Sequence, residues 1–202
     1  MCGIVGLFLK DPSLEPQLGA LLTDMLITMT DRGPDSAGIA IYGDETPGVI
    51  KVTVQSGTPE ADFAALEDDL SGALGTTVSV HINSTHAVLG VPEQQVKGLR
   101  AVLADIRPNV RMMSRGQNLE IYKEVGLPRD VVDRFGIAGM AGTHGIGHTR
   151  MATESAVTTL GAHPFNTGDD QCLVHNGSLS NHNSLRRKLV RAGVEVRSEN
   201  DS

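Results

Sequence analysis

Two stretches with chemically capable side chains lie near opposite ends of the 202-residue chain. Cys2 stands directly behind Met1 and leads into the apolar stretch "GIVGLF". A cysteine attacks as its thiolate, and a nearby base helps to form that thiolate. If Met1 is removed, the α-amine of Cys2 becomes available, with an ordinary pKa of about 7.7–8.0. The N-terminus therefore offers a nucleophile that carries its own base.

The second stretch, "HNGSLSN", offers donors for an anionic oxygen. The Asn176 side-chain amide and the Gly177 backbone N–H follow the strand-like "QCLVHN" and can point at one oxygen. Asn-Gly is also a common turn pair, so these two residues alone leave the turn interpretation open. Arg150, in "GHTRMAT", can bind a carboxylate through two parallel hydrogen bonds or serve as an ordinary salt-bridge residue.

Elements that must position these groups follow from the apolar pattern. "GIVGLFL" and "SAGIAIYG" are typical of buried strands, and the segment between them is predicted to be a helix with Asp11 as N-cap and Pro12 in its first turn. Its apolar residues recur at helical spacing, which predicts a core-facing stripe: Leu14, Leu18, Leu21, Leu22, Met25, Leu26 and Met29. A last helix is predicted after "QCLVHNGSLS", with Ser180 as N-cap and Gly193 just past its end.

Residues from about 48 to 140 differ in their sequence pattern from both ends of the chain. Strand-like and helix-like pieces alternate there, which predicts a small inserted α/β unit, a sheet covered by two helices. His81 and His86 lie in this region without a neighbouring cysteine and are interpreted as surface or edge residues. Cys172 lies inside an apolar strand and is interpreted as an inert core thiol.

Six motifs taken together resemble the class-II glutamine amidotransferases, which are N-terminal-nucleophile (Ntn) hydrolases. The motifs appear in the family's order: "MCGIVG", "RGPDSAG", "GHTRMAT", "GAHPF", "HNGSLSN" and "END". The resemblance covers both ends of the chain and leaves the middle unmatched. It implies an α+β fold, a four-layer αββα sandwich, over residues 1–202 with the insertion at about 48–140. It also implies hydrolysis of glutamine to glutamate and ammonia through a cysteine thioester.

Carried onto this sequence, the resemblance gives catalytic roles to three residues. Cys2 would be the nucleophile, with its own amine as base and acid. Asn176 and Gly177 would form the oxyanion hole. Arg32, in "DRGPDSAG", would support the N-terminal segment.

The resemblance also implies a clamp for the amino-acid end of glutamine. Arg150, helped by Thr153, would hold the α-carboxylate, and Asp201 would pair with the α-ammonium. A separated cation and anion suit a zwitterionic substrate, which supports this assignment on charge alone. His163 and His175 are interpreted as structural, because the mechanism does not require a histidine.

Composition excludes several function classes. The net charge is −7 and the pI about 5.4, which argues against nucleic acid and anionic membranes as partners. No apolar run is long enough for a membrane span, and no secretory signal opens the chain, so a reducing cytoplasm is expected. The chain stops at "SENDS", where the family pattern would continue into a helix and strands. We therefore expect the 202 residues to be incomplete at the C-terminal end and part of a longer polypeptide.

The long insertion and the variant loop "RMATES" most resemble separate amidotransferase subunits of glutamate-synthase-like systems, including N-methylglutamate synthase. Met151 and Glu154 replace the Trp and His of the sugar-phosphate synthases there. No cofactor is expected in this chain, because two cysteines are too few for an iron–sulfur cluster. FMN and iron–sulfur clusters would belong to partner subunits that use the ammonia. Two alternatives stay open: a catalytically silent scaffold or regulatory subunit, and an Ntn amidohydrolase acting on another amide.

Overall fold

The computed structural model describes residues 2–152, 156–177 and 179–194. Its regular elements give an α+β fold in which every strand pairing is antiparallel. The strands are β1 (Gly3–Phe8), β2 (Ser36–Tyr42), β3 (Val49–Gln55), β4 (Ser79–Asn83), β5 (His86–Pro92), β6 (Arg111–Gly116), β7 (Leu119–Val125), β8 (His144–Arg150), β9 (Phe165–Gly168) and β10 (Gln171–Leu173). The helices are α1 (Leu18–Thr28), α2 (Pro59–Asp62), α3 (Leu66–Leu74), α4 (Val96–Ile106), α5 (Pro128–Phe135) and α6 (His182–Arg191).

The first sheet has the strand order β1-β8-β2-β7. β8 therefore lies beside the N-terminal strand β1, with Gly3 opposite Thr149. Helices α1 and α5 pack on one face, and their shared core includes Val5, Leu18, Leu22, Leu26, Ile39, Tyr122, Val132 and Phe135. No helix within the described residues combines the length and apolar character needed to cross a membrane.

Helix α1 begins later than the apolar pattern predicts. Asp11 does act as a cap, accepting a hydrogen bond from the Ser13 N–H at 3.0 Å, but it caps a 3₁₀ helix over Pro12–Gln17. Pro16 inside this segment lacks the N–H that an α-helix needs, so the α-helix starts at Leu18. The predicted stripe divides accordingly: Leu18, Leu22 and Leu26 are fully buried, whereas Leu14, Leu21 and Met25 are more than a third exposed.

The second sheet has the order β4-β5-β3-β6 and lies wholly within residues 49–116. α3 and α4 contribute to its core, with Leu66, Leu70, Leu99 and Leu103 packed around Val52, Val54 and Leu89. The sequence predicts an insertion at about 48–140, but β7 pairs with β2 of the first sheet, Leu119 with Tyr42 and Val125 with Ser36, and α5 packs on that sheet. Only the two residues Gln117 and Asn118 separate β6 from β7, so no loop or linker marks this boundary.

A hairpin of β9 and β10 covers the opposite face of the first sheet. Cys172 packs there against Ala40, Ile121 and Ile146. The Tyr42 hydroxyl contacts its sulfur at 3.5 Å, and burial raises the pKa of this thiol, as expected of an unreactive core cysteine. The described layers are thus the α1/α5 pair, the first sheet and the hairpin.

The hairpin turn also holds the second sheet in place. Asp170 accepts backbone N–H groups of Gln117, Asn118 and Leu119 at 2.8–3.0 Å, and Asp169 pairs in bidentate fashion with Arg115 at 2.6 Å. These contacts fasten the junction between the two sheets to the hairpin that leads toward residues 174–177.

Candidate active site

Cys2 lies at the open end of β1, where two neighbouring segments meet. The Gly3 N–H donates to Thr149 Oγ1 at 3.2 Å, and that hydroxyl donates in turn to the Met29 carbonyl at 3.2 Å. A Cβ on Gly3 would lie 2.8 Å from Thr149 Oγ1 and 2.9 Å from Met29 Cβ. Close packing therefore requires glycine at position 3 of "MCGIVG", and this packing fixes the backbone that carries Cys2.

Two predicted site residues, Asn176 and Arg32, contact the backbone of Cys2. Its carbonyl oxygen accepts a hydrogen bond from Asn176 Nδ2 at 2.9 Å and one from Arg32 Nε at 3.5 Å. Its sulfur lies 3.9 Å from the Met151 carbonyl oxygen, and the residue is half-buried. The structure thus joins the N-terminal residue to "HNG", 174 positions away.

Arg150 is the last residue of β8 and lies opposite Ser36 of β2. The β1–β8 register brings Cys2, the residue before Gly3, to the level of Arg150, the residue after Thr149. The side chain of Arg150 is buried, and its Nη1 donates a hydrogen bond to the Ala156 carbonyl at 3.2 Å. Thr153 and Asp201, the other predicted clamp residues, lie outside the described residues.

Asp35 fixes the turn that follows Arg150, a role the sequence analysis did not assign. Its N–H donates to the Arg150 carbonyl at 3.1 Å, and its carboxylate accepts the Ala152 N–H at 2.7 Å. Asp side chains commonly bind backbone N–H groups in turns, so "RGPDSAG" contained the chemical signal. The partner segment could not be known, because it lies 117 positions away.

The segment with Asn176 and Gly177 follows the end of β10. His148, fully buried on β8, makes a hydrogen bond through Nε2 to the His175 carbonyl at 3.0 Å. A Cβ on Gly177 would lie 2.9 Å from Nε2 of the His175 ring, so the ring packs closely over this glycine. Burial lowers the pKa of His148 to about 4, which keeps the ring neutral at ordinary pH.

His163 lies against His148, with ring centroids 4.4 Å apart, and packs edge-on against Phe165. It is 3% exposed, and burial lowers its pKa to about 3. An uncharged, packed ring agrees with the structural role expected from the sequence. Gly38 allows this packing, because a Cβ there would collide with the His163 carbonyl oxygen.

Lys123 is a buried lysine on β7 that sequence reasoning passed over. Its Nζ donates to the carbonyls of Ala162 at 2.7 Å and Pro164 at 3.2 Å and lies 4.5 Å from the centre of the Phe165 ring. Burial lowers its pKa to about 7. The alternation of "LEIYKEV" could have flagged it, since Lys123 shares a strand face with Leu119 and Ile121.

Histidine, cysteine and carboxylate side chains do not form a metal-binding group of three or more anywhere in the described ranges. The polar groups that meet at the β1–β8 end are instead a thiol, an amide, two guanidinium groups and backbone carbonyls. Such groups suit acyl transfer to a thiol, with donors available for an oxyanion and for a carboxylate.

Comparison with known proteins agrees with the motifs. No family model matches the chain. It is 67% identical over its full length to the glutamine amidotransferase-like protein GlxB of Rhizobium meliloti, covering 67% of that protein. A protein of Methanothermobacter thermautotrophicus, whose name also contains the words glutamine amidotransferase, is 32% identical over the full chain, which covers 69% of it. The glutamine–fructose-6-phosphate aminotransferase of Methanosarcina mazei is 38% identical over 90 residues, 43% of this chain and 14% of that protein. The chain therefore belongs to the class-II glutamine amidotransferases.

Proposed function

We propose that this chain hydrolyses the side-chain amide of glutamine with Cys2 as an N-terminal nucleophile. After removal of Met1, the α-amine takes the thiol proton and Sγ forms a bond to the amide carbon. The carbon–nitrogen bond then breaks, and the amine passes the proton to the departing nitrogen, which leaves as ammonia. Water attacks the resulting thioester, releases glutamate and returns a proton to the sulfur.

One observation carries this proposal: Asn176 Nδ2 lies 2.9 Å from the carbonyl oxygen of Cys2. This contact places an uncharged amide donor beside the residue that carries the proposed nucleophile. In the reaction, the Asn176 amide and the Gly177 N–H would donate to the oxygen that becomes negative. Catalytic donors often make other contacts in the free enzyme and realign when substrate binds.

The proposed clamp lies at the same end of the β1–β8 strand pair as Cys2. Arg150 would bind the α-carboxylate of glutamine, since a planar guanidinium matches a carboxylate in bidentate fashion. Thr153 would assist, and Asp201 would pair with the α-ammonium. Arg32 would support the N-terminal residue through its contact with the Cys2 carbonyl.

We also propose that residues 1–202 belong to a four-layer αββα Ntn sandwich, with the second sheet system inserted into it. The supporting observations are the α1/α5 layer, the four-stranded first sheet and the hairpin stacked on its other face. The hairpin would be the beginning of the second sandwich sheet, and α6 would begin the outer helical layer.

The ammonia would pass to a glutamate-synthase-like partner that carries FMN and iron–sulfur clusters. The resemblance of "GHTRMATES" and the long insertion to separate amidotransferase subunits supports this choice of partner. Glutamine labelled with ¹⁵N in its amide tests it, because the label should appear in the partner's product. Label recovered only as free ammonia in the complete complex would contradict it.

Glutaminase kinetics with Cys2→Ala and Cys2→Ser test the function itself. We expect wild-type protein lacking Met1 to release glutamate, and both variants to lose at least ~10³-fold in rate, as for removal of other covalent nucleophiles. A retained Met1 would block the amine, and together with an inactive wild-type protein it would favour the silent scaffold. Glutamate release that survives Cys2→Ala would contradict the mechanism.

A further inference from the structure

We propose that His148 is a positioning residue for the oxyanion hole. Its Nε2–H holds the backbone carbonyl of His175 and thereby sets Asn176 and Gly177 against Cys2. The inference rests on the proposed function, since it concerns the same reaction. Neither the sequence motifs nor the similarity to known proteins gives this histidine a role.

The hydrogen bond defines the protonation of the ring. A backbone carbonyl only accepts, so at 3.0 Å from the His175 oxygen the Nε2 of His148 must carry the hydrogen. In a neutral imidazole, Nδ1 is then the unprotonated nitrogen. Within the part of the chain that the structure describes, this Nδ1 is buried and has no hydrogen-bond partner. The ring is therefore arranged to donate in one direction, toward the segment that carries the oxyanion donors.

The location of the accepting carbonyl explains why this bond matters. β10 ends at Leu173, so residues 174–177 continue beyond the strand. The carbonyl of His175 and the N–H of Asn176 belong to one planar peptide unit. Fixing the carbonyl fixes the orientation of that unit, and with it the origin of the Asn176 side chain and the path into Gly177.

The anchor is a rigid one. His148 lies opposite Gly38 on one side and Ile4 on the other, in the interior of the first sheet. The adjacent residue, Thr149, points to the opposite face and receives the Gly3 N–H at 3.2 Å. Consecutive residues of β8 thus hold two parts of the site. Thr149 binds the backbone next to Cys2, and His148 binds the segment that carries the oxyanion donors.

The surroundings keep His148 from taking part in proton transfer. His163 stacks beside it, Arg150 and His175 are its other titratable neighbours, and Lys123 lies beyond His163. Burial and the positive charge of Arg150 disfavour the imidazolium form and lower the pKa of His148. A positioning residue of this kind affects the rate through geometry and leaves the pH dependence of the reaction in place.

His148→Leu and His148→Gln separate the hydrogen bond from the bulk of the ring. The glutamine amide can donate from about the position of Nε2, whereas leucine cannot donate. Because oxyanion contacts act on the transition state, we expect His148→Leu to lower kcat about 10- to 100-fold with KM changed less than about 2-fold. His148→Gln should recover kcat to within about 3-fold of wild type and keep its pH profile.

Two controls make the result specific. His86→Leu removes another fully buried histidine, which lies on the interior strand β5 and not at the surface or edge that the sequence predicts, and which packs edge-on against Phe135. This variant should leave kcat unchanged even if stability falls. The rate of Cys2 alkylation by iodoacetamide reports the nucleophile and should be the same in wild type and both His148 variants. If His148→Leu does not fold, His148→Asn replaces it, because its shorter amide does not reach the His175 carbonyl.

The outcomes distinguish this inference from the proposed function. If the wild type is active and His148→Leu keeps a kcat within about 2-fold of it, the positioning role is overturned and the proposed function is not. The positioning role would also be overturned if His148→Gln were as impaired as His148→Leu and had lost the acidic limb of its pH profile. That result would mean that the His148 ring exchanges protons in the reaction. A wild-type protein without Met1 that alkylates normally and releases no glutamate would overturn the proposed function, and this inference with it.

Discussion

Replacing Lys123 with methionine should change how the stability of the protein depends on pH. Lys123 is 3% exposed on β7, where its ammonium group donates to carbonyls of the loop that contains His163. Burial lowers its pKa from 10.5 to about 7. Methionine has a similar shape and no charge, so the variant removes this titration while largely filling the same space.

The sign and size of the effect follow from proton linkage. Because the folded-state pKa is lowered, the penalty for burying the ammonium is full below the folded pKa and is relieved as pH rises toward 10.5. In that window the unfolded chain binds one more proton, so the free energy of unfolding gains up to ~1.4 kcal/mol per pH unit. Integrated from about pH 7 to pH 9, the wild type should gain ~2 kcal/mol relative to Lys123→Met.

Urea unfolding of both proteins at several pH values in this range measures the difference directly. All other ionisable groups are common to the two proteins and cancel in the comparison. Lys97→Met serves as the matched control, because Lys97 is exposed on α4 and its removal should leave the curve parallel to wild type. A Lys123→Met curve that is also parallel to wild type would refute the assignment of Lys123 as a buried, pKa-shifted amine.

Two further predictions concern the floor of the site and its clamp. Gly38→Ala places a methyl group against the His163 carbonyl oxygen and Lys123 Cβ, so we expect ~2–4 kcal/mol lower stability in urea unfolding, whereas Gly57→Ala, in open space, should cost less than ~1 kcal/mol. Arg150→Lys keeps the charge but loses bidentate pairing, so KM for glutamine should rise at least ~10-fold with a smaller change in kcat. An unchanged KM would remove Arg150 from the proposed clamp, and an unchanged stability of Gly38→Ala would contradict the close packing of the His163 loop.

Much of the first sheet could be predicted from local pattern. β1, β2 and the core-facing residues of α1 follow from runs and periods that a reader can find in the sequence. The apolar stripe by itself predicts a helix from Pro12 onward, whereas Pro16 within that segment delays the α-helix to Leu18. The end of the insertion could not be predicted, because only the pairing of β7 with β2 shows which sheet β7 joins.

The candidate site divides in the same way. Cys2, Arg32, Arg150, Asn176 and Gly177 were proposed from motifs, and the structure brings Cys2, Arg32 and Asn176 into direct contact.

His148 and Asp35 were not proposed, although they lie within the quoted motifs "GHTRMAT" and "RGPDSAG", and neither was Lys123, which lies on β7 outside any of the motifs. Their roles depend on partners 27, 117 and 39–41 positions away, a relation that no local pattern contains. Side-chain chemistry was readable from the sequence, but the partner of each side chain required the fold.

The central claim, that Cys2 forms a thioester with the glutamyl group, is tested most directly by trapping that intermediate. Purified protein lacking Met1 is mixed with glutamine, quenched in acid within the first turnovers and digested, and the N-terminal peptide is analysed by mass spectrometry. The account predicts a glutamyl adduct on Cys2 that is absent from Cys2→Ala and is released by hydroxylamine, as a thioester should be. Steady glutamate production with Cys2 unmodified at every quench time, or an adduct on another residue, would contradict it.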